Sequence, residues 1–135
     1  MLSPDFLNTP ASGIALALSK DKGRGVFASR SFQRGDTIEE APVLIIPASQ
    51  VTLIKRTILY NYFFVWSEAA GDVAICLGFG SIYNHSPAPN AEAIRNFKAQ
   101  TIAFRALCRI HVGEEIFTNY HNGRRNSEPY PFEQD

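Results

Sequence analysis

At 135 residues, with 45% hydrophobic and 19% charged content, the chain has the size of one domain and enough apolar side chains for one core without disulfide or metal staples. A formal net charge of zero excludes the basic excess of a dedicated nucleic-acid binder and leaves peptide or small-molecule partners open. No apolar run approaches the ~20 residues that span a bilayer, and Met1–Ser12 has neither a basic n-region nor an apolar h-region, so a soluble intracellular protein is expected, cytoplasmic or nuclear.

Residues 1–12, with Pro4 and Pro10, read as a loose arm before the fold. Gly13–Ser19 alternates larger and smaller side chains and suits a strand; Lys20–Gly25 is a polar turn, and Val26–Arg30 a second strand, together a hairpin-like entry. After a turn at Phe32–Asp36, Thr37–Ile46 reads as extended, with Pro42 implying an edge or a bulge. Pro47–Thr57 is the best helix candidate, with Ser49 as cap and partial helical spacing of Val51, Leu53, Ile54 and Ile58. The aromatic run Tyr60–Trp66 reads as core, with a dimer surface as the alternative.

Val73–Leu77 is a short strand, Asn90–Asn96 another, and Thr101–Ile110 a third, with Ile102, Phe104, Ala106, Cys108 and Ile110 on one face. Cys76 and Cys108 both lie in these apolar patterns and read as buried free thiols; with no CxxC and no Cys/His cluster at zinc spacing, no metal site is expected. Glu115–Tyr120 is a last strand, and 122–135 a polar tail with Pro129 and Pro131. Many short strands, one short helix and Gly/Pro turns make a mostly β domain.

The chemistry-bearing stretch is Ile82–Asn90, where an apolar strand end runs into a proline-stiffened polar loop. The amide of Asn84 offers two donors and two acceptors beside the imidazole of His85. On this stretch alone two readings stand: a ligand site, or side chains that satisfy loop backbone and core. Gly23-Arg24-Gly25 lets a ligand approach the backbone or simply makes a turn; it has neither phosphate-loop spacing. Glu114 and Glu115 read as solvated carboxylates. Glu39-Glu40, like Glu114-Glu115, are neighbours that point to opposite faces of a strand, which does not suit paired acid/base work.

Taken in order, Gly23–Ala28, Gly35-Asp36 with Ile38-Glu39-Glu40, Asn84-His85-Ser86 with Pro89-Asn90, and Gly113–Ile116 with Tyr120 resemble the SET domain of protein lysine methyltransferases. Leu77–Tyr83 resembles the run before the Asn-His-Ser loop in small stand-alone viral and bacterial members. The resemblance spans roughly 13–120 and implies a fold of short β-sheets with a knot-like C-terminal crossing, residues 13–121 forming the domain. It implies S-adenosylmethionine as cofactor, a protein or peptide lysine, a histone-like tail among the candidates, as partner and substrate, and a monomer or homodimer without direct nucleic-acid binding.

By the same resemblance, Tyr120 is the catalytic tyrosine beside the methyl-transfer path. Asn84 and His85 hold the donor, His85 through its backbone. Gly23, Arg24 and Gly25 wrap the amino-acid and ribose side, with Lys22 or Arg24 near the carboxylate. Tyr83, Thr118, Tyr130 and Phe132 are candidates for the substrate channel. Larger members close the site with a zinc-binding cysteine segment that this chain lacks, so the tail 122–135 is expected to take that part. Thr118 stands where Phe or Tyr is frequent, which leaves the number of methyls added open. A non-catalytic peptide-binding or scaffold module on the same fold is the alternative.

Overall fold

The computed structural model describes residues 13–20 and 22–120. It is mostly β, with nine strands in chain order: β1 (Ile14–Ser19), β2 (Gly23–Ala28), β3 (Thr37–Ile46), β4 (Phe64–Ser67), β5 (Asp72–Cys76), β6 (Asn84–His85), β7 (Ala91–Asn96), β8 (Thr101–Ala106) and β9 (Glu115–Thr118). One helix, α1 (Ala48–Ile54), and a 3-10 turn (Ile58–Asn61) interrupt them. The strands form a four-stranded sheet in the order β1-β2-β9-β6 and a five-stranded sheet in the order β4-β5-β3-β8-β7.

The core is built from alternating positions of the central strands. Ile102, Phe104 and Ala106 of β8 face inward, as do Ala41 and Val43 of β3 and Val26 and Ala28 of β2. Tyr83 stacks on Phe104 with ring centroids 4.4 Å apart, and Phe64 meets the same ring edge-on.

β3 carries two departures from simple alternation. Its ladder with β8 pairs Thr37 with Arg105 and then Glu39 with Phe104, so Ile38 is the extra residue of a bulge. The bulge buries Ile38 and Glu39 consecutively, and the Glu39 carboxylate points into the protein. Pro42 is not on an edge strand, and the bulge does not fall on it. The β8 ladder of β3 ends at Pro42, and the β5 ladder begins at Val43. The Pro42 carbonyl accepts from Leu77 N at 3.0 Å, just past the end of β5. Since N–H and C=O of one strand residue face the same neighbour, the missing N–H of Pro42 points where no ladder partner remains.

The C-terminal crossing takes the form of β9 inserted between β2 and β6. It runs antiparallel to β2, with Val26 opposite Ile116, and parallel to β6, with Asn84 opposite Phe117 and His85 opposite Thr118. Parallel neighbours require a long connection, which β7 and β8 supply.

Several expectations need correction. Gly23–Gly25 belong to β2, paired with Ala17–Ser19, and are not a free turn. The helix spans only 48–54, Ser49 does not cap it, and none of its residues is buried. Leu53 and Ile58 are largely exposed. In the aromatic run, Phe63, Phe64 and Trp66 are buried, while Tyr60 and Tyr62 are only partly so. β8 ends at Ala106, so Cys108 lies beyond it and is exposed, whereas Cys76 is buried. Thr101, which alternation sets opposite the face of Ile102 and Phe104, is buried as well. The expected arm 1–12 and tail 122–135 lie outside the described residues.

Candidate active site

The site forms where β2, β6 and β9 meet. β6 is only two residues long because the turns at Leu77–Ile82 and the prolines after Ser86 leave no room for more. Leu77 to Ile82 fold as successive tight turns, with Gly80 N to Leu77 O at 3.0 Å and Ile82 N to Phe79 O at 2.8 Å. Asn84 and His85 are therefore delivered from a stiff turn on one side and a stiff loop on the other. In that loop Ser86 Oγ accepts from Ala88 N at 3.1 Å, so a hydroxyl supports the turn.

Asn84 Nδ2 donates to Arg24 O at 2.9 Å and to Glu115 Oε2 at 2.8 Å. Both amide hydrogens are engaged inside the protein, so Asn84 offers a ligand its Oδ1, an acceptor. Glu115 also accepts from Ser19 Oγ at 2.6 Å, and the α-carbon of Gly25 lies close enough that a Cβ there would stand 2.3 Å from Glu115 Oε2. Glu115 is thus the node that ties β1, β2 and β6 to β9, and not a solvated carboxylate.

His85 acts by backbone and ring together. Its carbonyl accepts from Lys22 Nζ, and its Nδ1 accepts from Tyr120 N at 3.1 Å. A neutral ring with Nδ1 accepting carries its proton on Nε2. The His85 and Tyr120 rings lie 5.1 Å apart. The Lys22 ammonium is also 5.9 Å from the centre of the Phe117 ring. The Tyr120 hydroxyl donates to Tyr83 O at 2.6 Å, which commits its proton to a carbonyl.

Lys22, Gly23, Arg24, Gly25, Asn84, His85, Thr118 and Tyr120 are therefore brought to one junction. Gly23 faces open space, and Arg24 contributes its carbonyl to Asn84. Thr118 is buried opposite His85, and its carbonyl accepts from Ser86 N at 3.0 Å. Tyr83 takes a different place from the one expected. Its side chain is fully buried in the core, and its carbonyl is what reaches Tyr120. Tyr130 and Phe132 lie outside the described residues.

Sequence reasoning missed Ser19, Glu39, Glu115 and the true role of Asn90. The Asn90 side chain pairs with β9 backbone, Nδ2 to Glu115 O at 2.9 Å and Oδ1 from Phe117 N at 2.8 Å, and so extends the sheet where β6 has ended. The signal for Glu115 was its position one residue before the apolar β9 pattern; it pairs with Phe27, and its carboxylate reaches the space that Gly25 leaves by lacking a side chain.

The polar groups gathered at the junction are the Lys22 ammonium, bonded to the His85 carbonyl, and the Asn84 side chain, bonded to the Arg24 carbonyl. Among the described residues, no cluster of His, Cys, Asp and Glu could hold a metal ion, and no helix is long and apolar enough to cross a membrane.

The model of the SET domain family matches residues 23–121. The Schizosaccharomyces pombe histone-lysine N-methyltransferase, H3 lysine-37 specific, is 34% identical over 100 residues, 73% of this chain and 67% of that protein. The crystal structure of a Plasmodium falciparum candidate histone methyltransferase superposes with a TM-score of 0.64 at 26% identity, over 79% of this chain and 96% of that one. A chain of the Chaetomium thermophilum Polycomb Repressive Complex 2, in an autoinhibited conformation bound to S-adenosylmethionine, gives a TM-score of 0.70 at 23% identity. It covers 83% of this chain and 16% of that one, a likeness of fold.

Proposed function

The chain belongs to the SET-domain family of protein lysine methyltransferases, and we propose from that premise that it transfers a methyl group from S-adenosylmethionine to the side-chain amine of a lysine in an extended peptide. The observation that carries this reading is the Tyr120 hydroxyl held 2.6 Å from the Tyr83 carbonyl, one residue before the Asn84-His85 pair. The residues fit the cofactor: Lys22 meets its carboxylate, Asn84 Oδ1 its ammonium, and the backbone of His85 and of Gly23–Gly25 its nucleoside.

S-adenosylmethionine, when bound, supplies an electrophilic methyl on a sulfonium. The protein's own contribution is positioning, because in-line transfer asks mainly for alignment. The lysine amine must arrive neutral, against a free pKa of about 10.4, and an apolar approach lowers it by disfavouring the cation. Tyr120 then orients the amine through its lone pairs, since its proton is already given to Tyr83 O.

The protein acts inside the cell, in the cytoplasm or nucleus, as a monomer or homodimer on a protein substrate. The histone substrate of the fission-yeast relative makes a basic histone-like tail the first candidate.

Incubation of the protein with labelled donor and a lysine-peptide array tests the reading. Label on lysine supports it. Donor binding in calorimetry without transfer to any peptide or histone would leave a binding module in its place.

A further inference from the structure

Glu39 is 6% exposed, carries no ion pair among the described residues, and touches no group assigned to cofactor or substrate. Its two carboxylate oxygens grip the two ends of one short stretch. Oε2 accepts from Phe79 N at 3.0 Å, and Oε1 accepts from the Tyr83 hydroxyl at 2.7 Å. Gly78 makes the approach possible, since a Cβ there would stand 2.3 Å from Glu39 Oε2. The β3 bulge aims the side chain inward.

The stretch so clamped leads directly into Asn84, and the residue at its end, Tyr83, supplies the carbonyl that takes the Tyr120 proton. Phe104 stacks against the Tyr83 ring and blocks its sideways movement. A continuous path of short contacts therefore runs from β3 through the Glu39 carboxylate and Tyr83 to the Tyr120 hydroxyl.

We infer that Glu39 is a positioning residue for methyl transfer, acting through Tyr83 to hold the Tyr83 carbonyl, and with it the Tyr120 hydroxyl, in register with the acceptor amine. This rests on the lysine methyltransferase reading. Burial of a carboxylate is otherwise unfavourable, and both oxygens here serve one segment of the site. An amide in its place still accepts from Phe79 N–H through its oxygen but meets the Tyr83 hydroxyl with an NH2, which reverses that hydrogen bond, removes its charge assistance and leaves the buried Tyr83 proton without this acceptor.

The test is a double-mutant cycle on kcat with the full chain, using wild type, Glu39→Gln, Tyr120→Phe and the double variant. Glu39→Gln is expected to lower kcat by about 10- to 100-fold, the scale of a small misplacement of a reacting group. Its donor Kd by calorimetry should stay within about 2-fold of wild type, and in the Tyr120→Phe background it should change kcat by no more than about 2-fold. An equal loss of kcat in both backgrounds assigns Glu39 to general stability and overturns the inference. If Glu39→Gln does not fold, Tyr83→Phe, which keeps the carbonyl and the stacked ring, enters the same cycle.

A second measurement separates this inference from the reading beneath it. The Cζ resonance of labelled Tyr120 reports its hydroxyl environment without any turnover. If wild type methylates no peptide, the methyltransferase reading falls. A Tyr120 resonance that moves alike in Glu39→Gln and Tyr83→Phe still supports the coupling, and one that stays fixed in both overturns it.

Discussion

At the scale of single residues the site separates into groups that touch ligand and groups that aim them. In the proposed reaction Tyr120 belongs to the first kind. Its hydroxyl is held 2.6 Å from the Tyr83 carbonyl, and its ring is buried against His85. Tyr120→Phe keeps the ring, so fold and donor affinity should persist while kcat falls by about 10- to 1,000-fold, as when one oriented polar group is taken from a reaction centre. Steady-state kinetics with the best peptide measures it, and unchanged turnover removes the hydroxyl from the reaction. Tyr120, Asn84 and His85 were legible in the sequence because residue type and order carry them. Glu39 was not. Its inward turn depends on Ile38 being the extra residue of a bulge, and alternation along the strand gives no sign of it.

At the scale of elements, β2 and β9 decide whether the donor side has its shape. Gly25 lies where the Asn84 amide and the Glu115 carboxylate come together. Gly25→Ala puts a methyl 2.3 Å from Glu115 Oε2 and 2.9 Å from Asn84 Nδ2, both at the ends of side chains that can swing away. The fold should therefore survive with a loss of about 1–3 kcal/mol, since the Glu115 hydrogen bonds to Ser19 and Asn84 have to shift. The donor Kd should rise by about 10-fold, because Asn84 loses the Glu115 contact that directs its Oδ1. Thermal melting and calorimetry read the two effects separately, and an unaltered Kd would detach the Glu115–Asn84 contact from binding. The strand pattern was readable at this scale, but the pairing was not. Nothing in the sequence around Cys108 says that β8 stops at Ala106, since the apolar alternation continues through Leu107–Ile110 after the ladder with β7 has ended.

At the scale of the molecule, one core carries both sheets, and Tyr83 is the titratable group deepest within it. Burial, then the charge of Glu39 and the hydrogen bond to it, with a smaller contribution from Cys76, push the Tyr83 phenol well above its usual range. A folded pKa raised above the unfolded value of about 10 stabilises the fold fully below that pH, and the contribution disappears as pH rises through the folded value. Urea midpoints at pH 8 and pH 11 should therefore drop further in wild type than in Tyr83→Phe, which has nothing to ionise there. Equal drops would place the alkaline sensitivity elsewhere. Residues 122–135 belong to this scale too. Truncation after Asn126 removes Tyr130 and Phe132 and should weaken donor binding in calorimetry, while unchanged affinity would show that the core alone encloses the cofactor.

The placement of β9 between β2 and β6 has a consequence for how the protein reaches its working state. Ser19 and Glu115 are 96 positions apart, and Arg24 and Asn84 are 60 apart, yet all four meet at one junction. Closing such long loops takes conformational entropy before any contact returns it, and folds dominated by distant pairings form slowly. The strand leading to Tyr120 is the last of the described strands in chain order, and without it β6 has no partner among them on which to settle. Methyl transfer is therefore a late property of folding, available only after β9 has been threaded between β2 and β6, so activity recovered during refolding times that insertion.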